Sequence, residues 1–338
     1  MESPKILSCY REEIALEVSR VLPKGEGRLD EMLRYQLGWS EDGLPNLGKC
    51  LRPSLCLFAS DALGGARDAT LPVAVAIELL HNFSLIHDDI EDGDLLRHHR
   101  PTLWQVYGRD PAIAAGIGLW TLAYETLVAA AEQGVPAGRV LEARRIVNDA
   151  CSEMIEGQHL DLSYELRSNV TLADYLKMIS GKTAALIGAS LSTGALIAGA
   201  DAAEVKGLGD FGRQLGIAFQ IRDDILGIWG EGSATGKPVG ADIARKKKTL
   251  PVVHAFQQAV GPDRELLRAA YAKDELDEQA IDDVLGVLQR WNCRYFAQGL
   301  AEDHRSRAMA ALAQTELLPA TARRQLDELT SFILERDY

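Results

Sequence analysis

The segment "LIHDDIEDGD" at residues 85–94 sets Asp88, Asp89, Glu91 and Asp92 within five positions, directly after the apolar run "AIELLHNF". Carboxylates are rarely buried unless they are paired or bind a metal. On a helix, Asp88 and Asp92 lie one turn apart and share a face, with Asp89 flanking them. Hard oxygen ligands in that arrangement suit Mg²⁺, which keeps several waters and takes phosphate oxygens as further ligands. Alone, such a cluster also has a reading as a solvated helix end. A second cluster, "FQIRDDILG" at 219–227, again puts adjacent aspartates, Asp223 and Asp224, at the C-terminal part of an apolar helix. Two acid pairs on two distant apolar helices can face each other across a cavity, as a site where divalent metals hold an anion.

An anion also calls for cations, and the basic residues cluster selectively. "GKCLRP" offers Lys49 and Arg52, and "LLRHHRPT" offers Arg97, His98, His99 and Arg100 just after the first acid cluster. "SGKTA" supplies Lys182 and Thr183, and "GKPVGADIARKKKT" supplies Lys237, Arg245, Lys246, Lys247 and Lys248 after the second. Arginine and lysine donate charge-assisted hydrogen bonds to phosphate oxygens. Each run taken singly is a solvated surface, and the repeated position after an acid cluster is what gives them meaning. They matter more because the chain as a whole is acidic, with a net charge of −13. That charge argues against general affinity for nucleic acid or anionic membrane.

The elements that must position these residues read as helices throughout. Helical periodicity runs end to end, and no convincing strand alternation is found. "PSLCLFASDAL", "TLPVAVAIELLHNFSLIH", "GLWTLAYETLVAAAEQ", "RVLEARRIVNDACSEMIEGQ", "TLADYLKMISGKTAALIGASLSTGALI" and "EVKGLGDFGRQLGIAFQIRDDILGI" are the main segments. Residues from 102 onward, after Pro101, read as a short helix and loop. With no repeat or low-complexity linker, the expectation is one all-α domain over 1–338, an antiparallel bundle around a deep central cavity. The uncharged run "TAALIGASLSTGALIAGA" reads as a buried helix, not a membrane span. The five cysteines show no CxxC spacing and suggest reduced thiols in a cytoplasmic protein.

The ordered set "GKCLRP", "HNFSLIHDDIED", "RPT", "GKT", "FQIRDD", "GKPVGAD" and "KKTLP" resembles the trans-isoprenyl diphosphate synthases over nearly the whole chain. The resemblance implies a homodimeric enzyme that condenses isopentenyl diphosphate with an allylic diphosphate, with three Mg²⁺ ions when substrate is bound. It assigns Asp88, Asp89 and Asp92 to the first metal motif, and Asp223 and Asp224 to the second. Arg97, Lys182, Thr183, Gln220, Lys237 and Lys247 match positions around the allylic diphosphate, and Lys49, Arg52 and His81 match the isopentenyl diphosphate site. Three departures stand out. Gly227 occupies the place of the second motif's last aspartate. His98 stands where an arginine usually helps hold isopentenyl diphosphate, with Arg100 available to compensate. Cys50 replaces a common arginine. In the family, bulk just before the first motif limits product length. Phe83, five residues before Asp88, with the small Ser84 at the fourth position, resembles geranylgeranyl synthases (twenty carbons), with farnesyl (fifteen carbons) next. Phe83 also reads as plain core.

Other classes make different demands. Glu78-x-x-His81 and Glu156-x-x-His159 are the pairs of a di-iron carboxylate bundle, which gives no reason for the basic clusters. A class I terpene cyclase would share the ionisation machinery but has no use for Lys49, Arg52 and His81. A non-catalytic partner subunit would not need an intact first motif.

Overall fold

The computed structural model describes residues 4–39, 44–97, 99–165, 167, 169–230 and 239–335. The chain is all-α, as its periodicity predicts. Its first part comprises α1 (Arg11–Val21), α2 (Arg28–Gln36), α3 (Leu51–Ala62), α4 (Arg67–Glu91), α5 (Leu103–Tyr107) and α6 (Arg109–Val128). Then come α7 (Ala137–Glu165), α8 (Leu172–Ile179), α9 (Ala185–Ala198) and α10 (Ala202–Trp229). Helices Ala241–Ala244, Leu250–Gln258, Gly261–Ala272, Glu278–Arg290, Cys293–Leu312 and Ala320–Glu335 complete it.

Helix α4 is central because it is apolar all round: Val73, Ala74, Val75, Ala76, Ile77, Leu79 and Leu80 are fully buried. It packs with α3, α6 and α9 in the main core, while a second core lies under α8, α10 and Cys293–Leu312. The uncharged run is α9, which is buried over most of its length. Its small residues set how closely the helices approach. A Cβ on Gly194 would come 2.1 Å from the Cys56 carbonyl of α3, and one on Gly216 of α10 would come 2.5 Å from Ala184 Cα. Among the described residues, two helices, Arg67–Glu91 and Arg109–Gln133, are long and apolar enough to cross a membrane. The apolar window of the first is 78% buried and that of the second 39%. Ile117, Trp120 and Val128 of α6 therefore face outward, as do Leu141 and Ile155 of α7.

Three local readings are corrected. A two-residue hairpin, β1 (Leu96–Arg97) and β2 (Arg100–Pro101), pairs Leu96 with Pro101 and Arg97 with Arg100. Strands this short have no alternation for a sequence to show. The region after Pro101 is helical from Leu103, broken at Gly108, where φ is +94°. The segment read as one helix from 171 is split by a π turn at Ser180–Ala184. The α7 backbone presses on that turn: a Cβ on Gly157 would lie 2.1 Å from Lys182 N, and one on Gly181 would lie 2.4 Å from Glu153 O.

Candidate active site

The acids at the end of α4 keep their one-turn spacing: Asp92 caps the helix and its N–H donates to Asp88 O at 2.8 Å. The hairpin then folds the chain back so that Arg97 reaches them. Arg97 Nε lies 2.7 Å from Asp89 Oδ1 and Nη2 lies 3.1 Å from Asp88 Oδ2. The turn is anchored by Thr102 Oγ1 and Trp104 Nε1, which donate to Asp94 O at 2.7 and 2.9 Å. Arg245 pairs with the Asp94 carboxylate at 2.6 Å.

Two lysines from distant segments complete the cluster. Lys182, on the π turn, places Nζ 3.1 Å from Asp88 Oδ1 and 2.6 Å from Asp161 Oδ2 of α7. Lys247 Nζ lies 3.0 Å from Asp92 Oδ2. Burial works against every charge here, but the partners outweigh it. Lys182, Arg97 and Lys247 together hold the Asp88 pKa below the usual carboxylate value. Asp161 and Asp88 raise that of Lys182, and Asp92 raises that of Lys247. Asp89 differs: burial pushes it up to about 6 despite Arg97. It is 2% exposed and orients Arg97.

The residues fit a divalent cation with a polyphosphate. Asp88 Oδ1 is buried with Lys182 Nζ 3.1 Å away, and Asp92 offers its carboxylate one turn along the same face. Among the described residues, no group of three or more His, Cys, Asp or Glu forms a ready metal cage. Mg²⁺ is typically bound through one or two carboxylates, water and substrate phosphate, the donor types that Asp88, Asp92 and a diphosphate offer. Asp223 lies on α10, and its charge is felt by Arg52.

Asp224, expected among the metal ligands, has both carboxylate oxygens engaged by protein donors. It is 6% exposed. Its Oδ2 accepts from Tyr175 Oη at 2.7 Å and from Leu250 N at 2.8 Å, and its Oδ1 accepts from Gln220 Nε2 at 3.1 Å. Burial raises its pKa to about 7. Adjacent helical residues point about 100° apart, and these three bonds hold Asp224 toward Tyr175 and Leu250. Thr183 Oγ1 donates to Gln220 Oε1 at 2.6 Å, so both residues belong to a chain that ends on Asp224.

Two turns before Asp88 on α4, Arg52 Nη1 donates to His81 Nε2 at 3.2 Å, which leaves the ring proton on Nδ1. Glu78 is buried beneath this pair. Desolvation raises its pKa to about 7, against Arg52 and an Asn82 hydrogen bond that lower it. Lys49 is exposed on the turn before α3. Arg100 donates to Tyr35 O at 3.2 Å and lies over the Tyr35 ring, away from the acids. Phe83 packs on the main core with its ring 4.9 Å from that of His87, and Ser84 Oγ donates to His81 O at 2.8 Å. Cys50 is a buried free thiol. His98 and Lys237 lie outside the described residues. The di-iron pattern does not assemble: Glu156 is exposed and paired with Lys177 at 2.8 Å, while Glu78 is buried beside Asn82.

Sequence reasoning missed Asp161, Tyr175 and the role of Glu78. Asp161 had one signal: it follows Gly157 by four residues, so it shares the α7 face on which the π turn sits.

The family described as Polyprenyl synthetase matches residues 39–288. The chain belongs to this family. A "(2E,6E)-farnesyl diphosphate synthase" of Mycobacterium tuberculosis is 39% identical over 322 residues, covering 91% of this chain and 88% of that protein. The crystal structure of a geranylgeranyl pyrophosphate synthetase from Pyrococcus horikoshii is 35% identical, with a TM-score of 0.88 over 98% of each chain. A polyprenyl synthase from Caulobacter crescentus, solved with calcium and isoprenyl diphosphate, is 28% identical, with a TM-score of 0.85 over 100% of each chain. The polyprenyl synthetase fold therefore extends across the whole chain, including the helices after residue 288.

The buried Glu78 gives the stability of this polyprenyl synthetase a pH dependence. Its pKa of about 7 in the fold lies above its ordinary 4.5, so the folded state binds the proton more tightly than the unfolded chain. Stability therefore falls as pH rises through that window. Glu78→Gln, which cannot ionise, is expected to lose less unfolding free energy between pH 5 and pH 8. Urea denaturation should show a difference on the order of 2–3 kcal/mol. Identical slopes for the two proteins would rule out titration of Glu78.

Proposed function

We propose that this protein is a short-chain trans-prenyltransferase that condenses isopentenyl diphosphate with an allylic diphosphate and releases pyrophosphate. The observation that carries this reading is the convergence of Asp88 and Asp92 with Arg97, Lys182 and Lys247 from three separate segments. Its farnesyl and geranylgeranyl relatives point to a product of fifteen or twenty carbons. Asp88 and Asp92 on one side and Asp223 on the other would hold Mg²⁺, three ions with substrate bound. Bound Mg²⁺ would supply Lewis-acid neutralisation of the leaving diphosphate.

The chain's own residues do the rest. Arg97, Lys182 and Lys247 turn from their carboxylate partners to the allylic diphosphate and stabilise the charge that develops as its C–O bond ionises. Lys49, Arg52 and His81 hold the diphosphate of isopentenyl diphosphate. The apolar walls of α4 and α6 exclude water from the allylic cation. The isopentenyl double bond attacks that cation, forming the new C–C bond. The proton lost in restoring a double bond leaves with pyrophosphate, so no protein nucleophile is needed.

The protein acts, in this reading, as one domain in the cytoplasm, consistent with its five free cysteines. It is a homodimer through the outward apolar stripe of α6 and α7, where Ile117, Trp120, Val128, Leu141 and Ile155 are exposed.

Purified protein with Mg²⁺, labelled isopentenyl diphosphate and each of the five-, ten- and fifteen-carbon allylic diphosphates should give one discrete elongated product, with Asp88→Asn slower by about 100- to 1000-fold. Hydrocarbon or alcohol formed from the allylic diphosphate alone would instead mean a cyclase, and complete inactivity of the lone chain would mean a partner subunit. Phe83→Ala should lengthen the product by one or more isoprene units on chromatography, and an unchanged length would return Phe83 to a plain core role. Trp120→Glu should move the protein from dimer to monomer in sedimentation velocity, and an intact dimer would place the interface elsewhere.

A further inference from the structure

Three consecutive lysines, Lys246, Lys247 and Lys248, follow the short helix Ala241–Ala244, and their side chains diverge. Lys247 turns to Asp92, with Nζ at 3.0 Å. Its two neighbours go instead to the C-terminal end of helix Gly261–Ala272. Lys246 Nζ donates to the Lys273 carbonyl, and Lys248 Nζ lies 4.5 Å from the centroid of the Tyr271 ring. The last carbonyls of a helix carry the negative end of its dipole, which favours cations there.

Two aromatic rings build the seat of Lys248. Phe256, on helix Leu250–Gln258, meets Tyr271 edge to face, with ring centroids 5.2 Å apart and planes at 89°. Lys248 Nζ lies 5.8 Å from the Phe256 centroid as well, and the residue is only 7% exposed. A desolvated cation over aromatic faces is held more firmly than an exposed one. Lys246 has φ +55°, a left-handed backbone that residues other than glycine rarely adopt. That conformation is tied at both ends of the residue: its N–H donates to Ile243 O at 2.8 Å, and its Nζ is held at Lys273. The backbone N–H of Lys247 donates to Asp242 O at 3.0 Å, so the residue between the two anchors is itself fixed in direction.

We propose that the end of helix Gly261–Ala272 aims Lys247: by gripping Lys246 and Lys248, it points the lysine between them at the diphosphate site. Lys246 and Lys248 are positioning residues that act through Lys247, and Tyr271 and Phe256 support them from outside the site. The inference rests on the diphosphate role given to Lys247 in the proposed function.

A mutant cycle on the full chain tests it without turnover. The probe is inorganic pyrophosphate with Mg²⁺, and affinity is read by isothermal titration calorimetry. Lys247→Met should weaken binding by about 30-fold. Lys248→Met and Lys246→Gly, the second of which keeps the left-handed backbone and removes only the side-chain grip, should each weaken it by about fivefold. In the Lys247→Met background neither change should cost more than about twofold further, because nothing is left to aim. Lys248→Arg, which keeps a cation over the rings, should stay within about twofold of wild type. Full affinity in either anchor variant, losses that add in the Lys247→Met background, or an arginine variant as weak as the methionine one would overturn the proposal. Thermal unfolding checks that each variant is folded. If wild type does not bind the probe, or Lys247→Met binds it as tightly as wild type, the diphosphate role of Lys247 fails and this inference fails with it. If Lys247→Met binds weakly but the anchors show no coupling to it, this inference alone fails.

Discussion

Everything at the candidate site depends on Lys182, which bridges Asp88 and Asp161. Without cations, the α4 terminus would be untenable: two carboxylates one turn apart repel by about 3 kcal/mol at an effective dielectric of 20. A lysine at about 3 Å attracts each carboxylate by about 5 kcal/mol on the same scale, before desolvation. Lys182, Arg97 and Lys247 therefore make the acid cluster compatible with burial. They are also the groups that a diphosphate would recruit. In the free protein the carboxylates occupy the cations. In the proposed function, metal would take the carboxylates and phosphate the cations, so neither set would be left buried and unpaired.

The backbone that delivers Lys182 is unusual for a helix. Gly157 and Gly181 let α7 lie directly on the π turn, and Asp161 stands one turn along α7 from that contact. π turns are rare and concentrate at functional sites. Here the turn has a visible cause, since a regular helix with side chains at these two positions would hold the backbones apart and draw Lys182 away from Asp88. The small residues of α9 and α10 extend the same close packing behind the site.

Buried acids that look alike on paper have different tasks. Asp88 is kept ionised by cations, Asp89 orients Arg97, and Asp224 holds the helix starting at Leu250 to α10 and α8 through Tyr175 and the Leu250 N–H. Glu78 lies beneath Arg52 and His81 in an environment that disfavours its charge. Adjacent aspartates point to different faces of a helix, and the neighbours on each face decide which of them can meet a ligand.

The sequence by itself determined the all-α class, the two acid motifs, the order of the basic clusters and the family they resemble. These are properties of local periodicity and residue type, which a linear chain displays. It also displayed Gly227 as a departure. It could not show the hairpin, because two-residue strands have no period, nor the π turn, because one extra residue leaves helical composition unchanged. Only the tertiary structure decided that Asp161 meets Lys182, that Tyr175 and the Leu250 N–H engage Asp224 and that Asp242 fills the space beside Gly227. Each of those outcomes depends on which segment packs on which helix face. Side-chain partners brought together from as far apart as Asp92 and Lys247 are set by that packing and leave no mark on local sequence.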